Sequence, residues 1–239
     1  MIDSYSTDKT IDICKSNNVK ILFNKFKSHG EQIMYALKFV KNEWVFVLDA
    51  DEKFSTNLSN ELIHFSPDDS KFAYKVIREN YFSDKKINFG TWRNDSPTRF
   101  FHKDYCHYNG LRVHASLSCR CDIGLLRNSL YHYSYKSIYH YISKVGRFSR
   151  GAAHDMYDLG IKSSPIKIVS RSLFRFIKSY IILKGYKDGK YGFFIALLES
   201  FYVALKYSIL LEMKIKYSKR ALCYECCYIF FLFCMHSDI

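Results

Sequence analysis

A chain of 239 residues, 48% apolar and 25% charged, is long enough for one large globular domain or for one core with an appended subdomain. Ten glycines and three prolines against 20 tyrosines and 20 phenylalanines exclude collagen-like, linker-like and low-complexity chains, and the apolar content argues against intrinsic disorder. The net charge of +13 is unevenly placed: residues 1–110 carry 16 Lys+Arg against 15 Asp+Glu, and residues 111–239 carry 20 against 8, so the second half is suited to a polyanion, either nucleic acid or an anionic membrane surface.

In chain order, Met1-Ile2-Asp3 reads as the end of a strand running into the polar loop Asp3–Asp8, where Thr7 or Asp8 can cap a helix carrying Ile11, Ile13 and Cys14. Val19–Phe23 is a short strand. A helix with Ile33, Met34, Leu37 and Val40 at three- and four-residue spacing leads to the continuous apolar run Trp44–Leu48, which suits a buried parallel strand. Phe72–Arg78, Arg99–His102 and Leu130–Ser134 read as extended pieces. Beyond Tyr135 the pattern is helical: a stripe of Ile138, Tyr141, Ile142, Val145 and Phe148, then apolar-basic segments at 166–184 and 191–216. No apolar stretch reaches about 18 uncharged residues, and no basic segment precedes an apolar run at the N-terminus, so neither a membrane span nor a signal peptide is expected. The eight cysteines are accordingly expected as reduced thiols; a zinc site from Cys119, Cys121, Cys223 and Cys226 has the wrong spacing.

Alternating strands and helices make an α/β fold, whose ligands sit at the carboxyl ends of the strands. Two Asp-rich loops occupy those ends. Leu48-Asp49-Ala50-Asp51-Glu52 closes the most apolar strand; residues two apart in extended chain point the same way, so Asp49 and Asp51 can share one hard divalent cation, Mg²⁺ or Mn²⁺, and leave its other positions to phosphate oxygens and water. The plainer reading is a solvated acidic turn.

The second loop adds a pattern to the first. Asp3-Ser-Tyr-Ser-Thr-Asp-Lys-Thr10 resembles the Asp-Ser-Gly-Ser-x-Asp-x-Thr loop of family-2 glycosyltransferases, and Trp44–Glu52 resembles their metal-binding strand end. Gly30-x-Gln32, Trp92-Arg-Asn-Asp95, Arg99-Phe-Phe101, Val113-His114, Phe174-Arg-Phe176, Lys184–Gly189 and Gly192 follow in the family's order, most like the subgroup that glycosylates the inner core of lipopolysaccharide. The resemblance covers residues 1 to about 216. It implies a GT-A type fold for nucleotide-diphospho-sugar transfer in residues 1–134, a helical, basic, possible membrane-docking region in 135–219, and leaves 220–239 as an apolar Cys-rich tail. It further implies inverting transfer from a nucleotide-diphosphate sugar to a lipid-linked saccharide at the inner face of the cell membrane. Asp3 would contact the nucleobase, with Ser6, Asp8 and Gln32 also on the donor, and Asp49 and Asp51 would hold its cation; Arg93 and Arg99 could bind phosphate, with a surface ion pair as the alternative for each.

Two departures stand out. The family begins with a further strand and helix, and such a unit needs about thirty residues, so the fold is expected to lack its first strand and helix. Where the family has Glu after Val-His, this chain has Ala115, which cannot accept a proton; Asp95 and His114 are the remaining base candidates. The structural alternative is Asp95 as a turn cap and His114 as a half-buried histidine. The mixing of Lys and Arg with Phe, Ile and Leu, as in Phe174–Lys184, suits an interfacial helix better than nucleic acid, with a core helix edged by basic residues as the alternative, and a non-catalytic remnant remains the competing function.

Overall fold

The computed structural model describes residues 1–68, 70–108 and 117–234, with side chains to Lys216. Val113, His114 and Ala115 therefore lie outside the described residues, as do the side chains of Cys223 and Cys226.

The first half alternates β1 (Ile2–Asp3), α1 (Thr10–Ser16), β2 (Leu22–Phe23), α2 (His29–Leu37), β3 (Trp44–Phe46), β4 (Glu52–Phe54) and α3 (Thr56–Ile63). The long strand β5 (Lys71–Phe82) follows, with its short partner β6 (Lys85–Lys86), then β7 (Thr98–His102), β8 (Cys106–Tyr108), β9 (Leu117–Cys119) and β10 (Asp122–Tyr135). The rest is helical: α4 (Ile138–Asp158), α5 (Pro165–Ile177) and α6 (Gly189–Cys234). Serines start four of the helices. Ser28, Ser55, Ser137 and Ser164 each accept a backbone N–H of the first turn, satisfying a donor that the helix leaves orphaned.

The main sheet runs β3-β7-β5-β10-β4, with β6 on β5; β1 pairs with β2 in parallel. The Trp44 run, read as a parallel strand, instead pairs antiparallel with β7, Trp44 opposite His102 and Phe46 opposite Phe100. A continuous apolar run carries no information about the direction of its neighbour, and β3 stands at the edge of the sheet with its residues half-buried instead of buried on both faces. Parallel pairing falls to β5 with β10, in register at His132 and Asn80. Under the sheet, Leu58, Val76, Leu126 and Leu130 pack with Tyr74 and Phe100 against Trp44 and Phe65.

The cysteine expectation is corrected at β8 and β9. Cys106 and Cys119 are directly opposed in register, with Cα atoms 4.3 Å apart, and form a disulfide, Cys121 being a free thiol beside it.

Behind the sheet, Tyr141 and Val145 of α4 join Phe82, Ile87, Ile195 and Leu198 in a second core, whereas Ile142 of the same expected stripe faces out. α5 and α6 are joined by a π-helical turn (Lys178–Ile182) and a 3-10 turn (Gly185–Asp188). This corner needs glycine: a Cβ on Gly192 would stand 1.8 Å from the Gly185 carbonyl oxygen. Gly185–Lys216 is long and apolar enough to cross a membrane by length and composition, its most apolar 18-residue window having a mean hydropathy of 1.7. One side of it is core, through Ile195, Ala196, Leu198, Val203 and Leu210.

Candidate active site

At the end of β1, Asp3 is only 3% exposed, and both its oxygens are used: Oδ2 accepts the Ser6 N–H at 2.8 Å and Oδ1 the Ser6 hydroxyl at 2.6 Å. These two bonds hold the Asp3 carboxyl below its ordinary range. The loop closes because Tyr5 takes φ 64°, the left-handed conformation for which the family motif supplies glycine. Buried Gln32 on α2 donates to Ser4 Oγ at 2.8 Å and to the Asn24 carbonyl, tying this loop to the end of β2. Asp3, Ser6 and Gln32 thus come together. Asp8 does not join them; its Oδ1 accepts the Thr10 N–H at the start of α1.

The turn between β3 and β4 presents Asp49 and Asp51. Arg99, 7% exposed, donates from one Nη2 to Asp49 and to Glu52, the latter at 2.7 Å. Glu52, with a side chain 0% exposed, also accepts Arg78 Nη1 at 3.0 Å, and Arg78 Nε continues to Asp95 Oδ2 at 2.7 Å. Asn80 bonds the same Asp95 oxygen and, in the other direction, His132 at 2.6 Å. The His132 Nε2 lies 3.6 Å from Asp51 Oδ1. Burial alone would raise the Asp51 carboxyl, but the hydrogen bond and charge of His132 outweigh it and hold Asp51 low. On the other side His29 Nε2 is 3.6 Å from Asp49 Oδ1, so the first turn of α2 reaches the acidic turn while Gln32, three residues on, holds the Asp3 loop. One helix connects both halves of the site.

This ladder sets four carboxylates (Asp49, Asp51, Glu52, Asp95) against two guanidiniums (Arg78, Arg99). In a chain with a large positive net charge it keeps a formal excess of two negative charges, on hard oxygen donors, with the Asp51 side chain 41% exposed. That charge, donor type and access fit a divalent cation. Arg99, read as a phosphate ligand, is placed inside the ladder, and Arg93 lies over the Phe89 ring, 5.9 Å from its centroid.

Glu52, Arg78, Asn80 and His132 were not read as site residues. Their signal is polar residues two apart in apolar strands, Arg78 with Asn80 and His132 with Ser134, which place polar groups on one face of β5 and of β10.

A family model, Glycosyl transferase family 2, matches residues 1–134, more than half of the chain. The chain is 26% identical over 229 residues to an uncharacterized glycosyltransferase of Rickettsia bellii, an alignment covering 90% of this chain and 78% of the relative. Uncharacterized glycosyltransferases of Rickettsia typhi and Rickettsia conorii are each 25% identical over 229 residues, covering 90% of this chain and 78% and 81% of the relatives. The chain belongs to glycosyl transferase family 2, and its mixed sheet followed by helices is the α/β arrangement of a GT-A type domain with a helical C-terminal region.

Proposed function

We propose that this chain transfers a sugar with inversion from a nucleotide-diphosphate donor to a lipid-linked saccharide of the cell envelope, of the lipopolysaccharide inner-core kind, at the inner face of the membrane. The observation that carries the reading is the net-acidic turn at Asp49 and Asp51 joined through α2 to the buried Asp3 loop. Asp3 and Gln32 take the nucleoside end and the acidic turn takes the diphosphate end. Asp49 and Asp51 would hold a divalent cation, which neutralises the diphosphate as it leaves.

The chain's own residues supply the rest. Arg99 and His132 orient the two carboxylates. Asp95 is anchored through Oδ2 by Arg78 and Asn80 and takes the acceptor's hydroxyl proton on its other oxygen as the attack proceeds from the face opposite the nucleotide. A donor screen, reading nucleotide diphosphate release from several nucleotide sugars with Mg²⁺ or Mn²⁺, tests the function; no release with any donor refutes it. Asp95→Asn keeps donor affinity and lowers turnover about 10²-fold. Unchanged turnover removes Asp95 from the mechanism.

Membrane docking is supported by α5, no residue of which is buried. Ile166, Val169, Leu173 and Phe174 are exposed there, as are Phe193, Leu197 and Phe201 on α6, among Lys167, Arg171, Lys178, Lys184 and Lys190. Each basic residue close to an anionic surface contributes about 1 kcal/mol, a term that salt screens, whereas the apolar burial persists. Binding to anionic vesicles is therefore expected to fall, but not vanish, as salt rises in co-sedimentation. No binding to anionic vesicles, or preference for RNA over them in competition, overturns the docking reading.

A further inference from the structure

Beside the acidic ladder lies a cavity of about 260 Å³ that the transfer chemistry above does not use. One wall is aromatic: Trp92 and Tyr135 stand with ring centroids 6.1 Å apart, and Tyr141 follows 4.8 Å from Tyr135. Phe148 of α4 and Tyr202 of α6 complete the apolar lining. The one carboxylate in the lining belongs to Glu199. Its Oε1 accepts the Trp92 indole N–H at 3.2 Å and its Oε2 the Thr91 hydroxyl. A carboxylate has about four acceptor positions, so Glu199 retains capacity for a ligand's hydroxyls. Burial pushes its carboxyl up, and Arg175 of α5 acts in the opposite direction.

The cavity adjoins the reacting centre through two connections. Tyr133, two residues before Tyr135 on β10, donates its backbone N–H to the Asp51 carbonyl at 2.8 Å. The Trp92 carbonyl accepts Asn80 Nδ2 at 3.0 Å, the same amide group that reaches Asp95.

We propose that this cavity is the subsite for one neutral pyranose ring of the acceptor, an inference that rests on the glycosyltransferase reading. Aromatic faces take the apolar C–H face of a sugar, and a half-buried carboxylate takes its hydroxyls in charge-assisted hydrogen bonds. Glu199 disfavours a phosphate by repulsion and a hydrocarbon chain by its own desolvation. The volume lies below the roughly 300–1,000 Å³ of sites for drug-sized ligands and suits a single ring.

The two tryptophans make the test direct, because Trp44 packs in the sheet core against Phe65 and Phe100 whereas Trp92 lines the cavity. Methyl glucoside, methyl galactoside and methyl mannoside are titrated against intrinsic fluorescence, with decanol as the hydrocarbon probe and inorganic phosphate as the anion. At least one pyranoside is expected to give a saturable change that Trp92→Phe abolishes and that Glu199→Gln weakens about tenfold, the loss of one charged hydrogen bond. Phe148→Ala, at the half-exposed rim, weakens it too, with near-UV dichroism reporting that each variant is folded. No saturable response to any pyranoside, an undiminished response in Glu199→Gln, or saturation by decanol or phosphate in their place overturns the proposal. Nucleotide-sugar binding by calorimetry in Mn²⁺ reports the parent reading separately: a chain that binds donor and no pyranoside loses the cavity assignment alone, and one that binds neither loses both.

Discussion

Asp51→Asn abolishes cation-dependent binding of nucleotide-diphosphate sugar and leaves the fold standing. The side chain is partly exposed at the tip of the β3–β4 turn, and an amide in its place keeps an oxygen facing His132, whose other ring nitrogen stays on Asn80. What is lost is one of two anionic oxygen donors on the proposed cation site. A cation on a leaving diphosphate contributes several kcal/mol, which at about 1.36 kcal/mol per tenfold is on the order of 10³ in turnover. Asp49→Asn is a less clean variant, because Asp49 also pairs with buried Arg99. Calorimetry in Mn²⁺ and a thermal melt decide the matter together. If Asp51→Asn binds donor as the parent does, the acidic turn is structural and the cation belongs elsewhere.

Why Asp49 and Asp51 were readable and their partners were not follows from distance along the chain. An Asp-x-Asp after an apolar strand is a local pattern, and so is a serine ahead of a helix. By contrast, Arg99 reaches Asp49 across 50 residues, and His132 reaches Asn80 across 52, through strand pairing that only the assembled sheet reveals. The same limit explains the direction of β3, whose neighbour β7 lies far downstream. It also explains the disulfide: reduced thiols were the expectation from the spacing of the cysteines along the chain, but whether Cys106 faces Cys119 depends on the register of β8 on β9. Asp8 was readable twice over, as a member of the family loop and as a helix cap; the N-cap position of α1 belongs to Lys9, and the Asp8 carboxylate, one residue earlier, accepts the Thr10 N–H. Arg93 and Arg99 were alike as basic residues near a polar loop; burial separates them, Arg99 lying buried against the carboxylates of Asp49 and Glu52 and Arg93 exposed over the Phe89 ring.

The residue on which the site's stability turns is the one next to the motif. Glu52→Gln is expected to destabilise the protein by about 3–5 kcal/mol, the cost of removing one partner from a buried ion pair. Its carboxylate is the anion between two guanidiniums, receiving Arg78 at 3.0 Å and Arg99 at 2.7 Å. Glutamine keeps the shape and one acceptor but turns an N–H₂ donor toward donors, so Arg78 and Arg99 lose their shared anion and keep only Asp95 and Asp49 as charged partners. The second carboxylate oxygen also accepts the Asp49 N–H at 2.9 Å, so the acidic turn loses its anchor at the same time. Total stabilities of about 5–15 kcal/mol make this loss a large fraction, and at roughly 2–4 °C per kcal/mol for a chain of this size the midpoint should fall on the order of 10 °C. Asp95→Asn, on a carboxylate 30% exposed, costs less because water screens what remains. Adding Arg78→Met to Glu52→Gln should recover part of the loss, since a half-compensated cation is then gone and its stem is replaced by an apolar one, while the partly exposed Asp95 is left to water. Denaturant melts of the four chains in this cycle test the argument: a Glu52→Gln loss under about 1 kcal/mol, or a double variant no better than the single one, would mean that the ladder of charges is held by the strands and does not hold them.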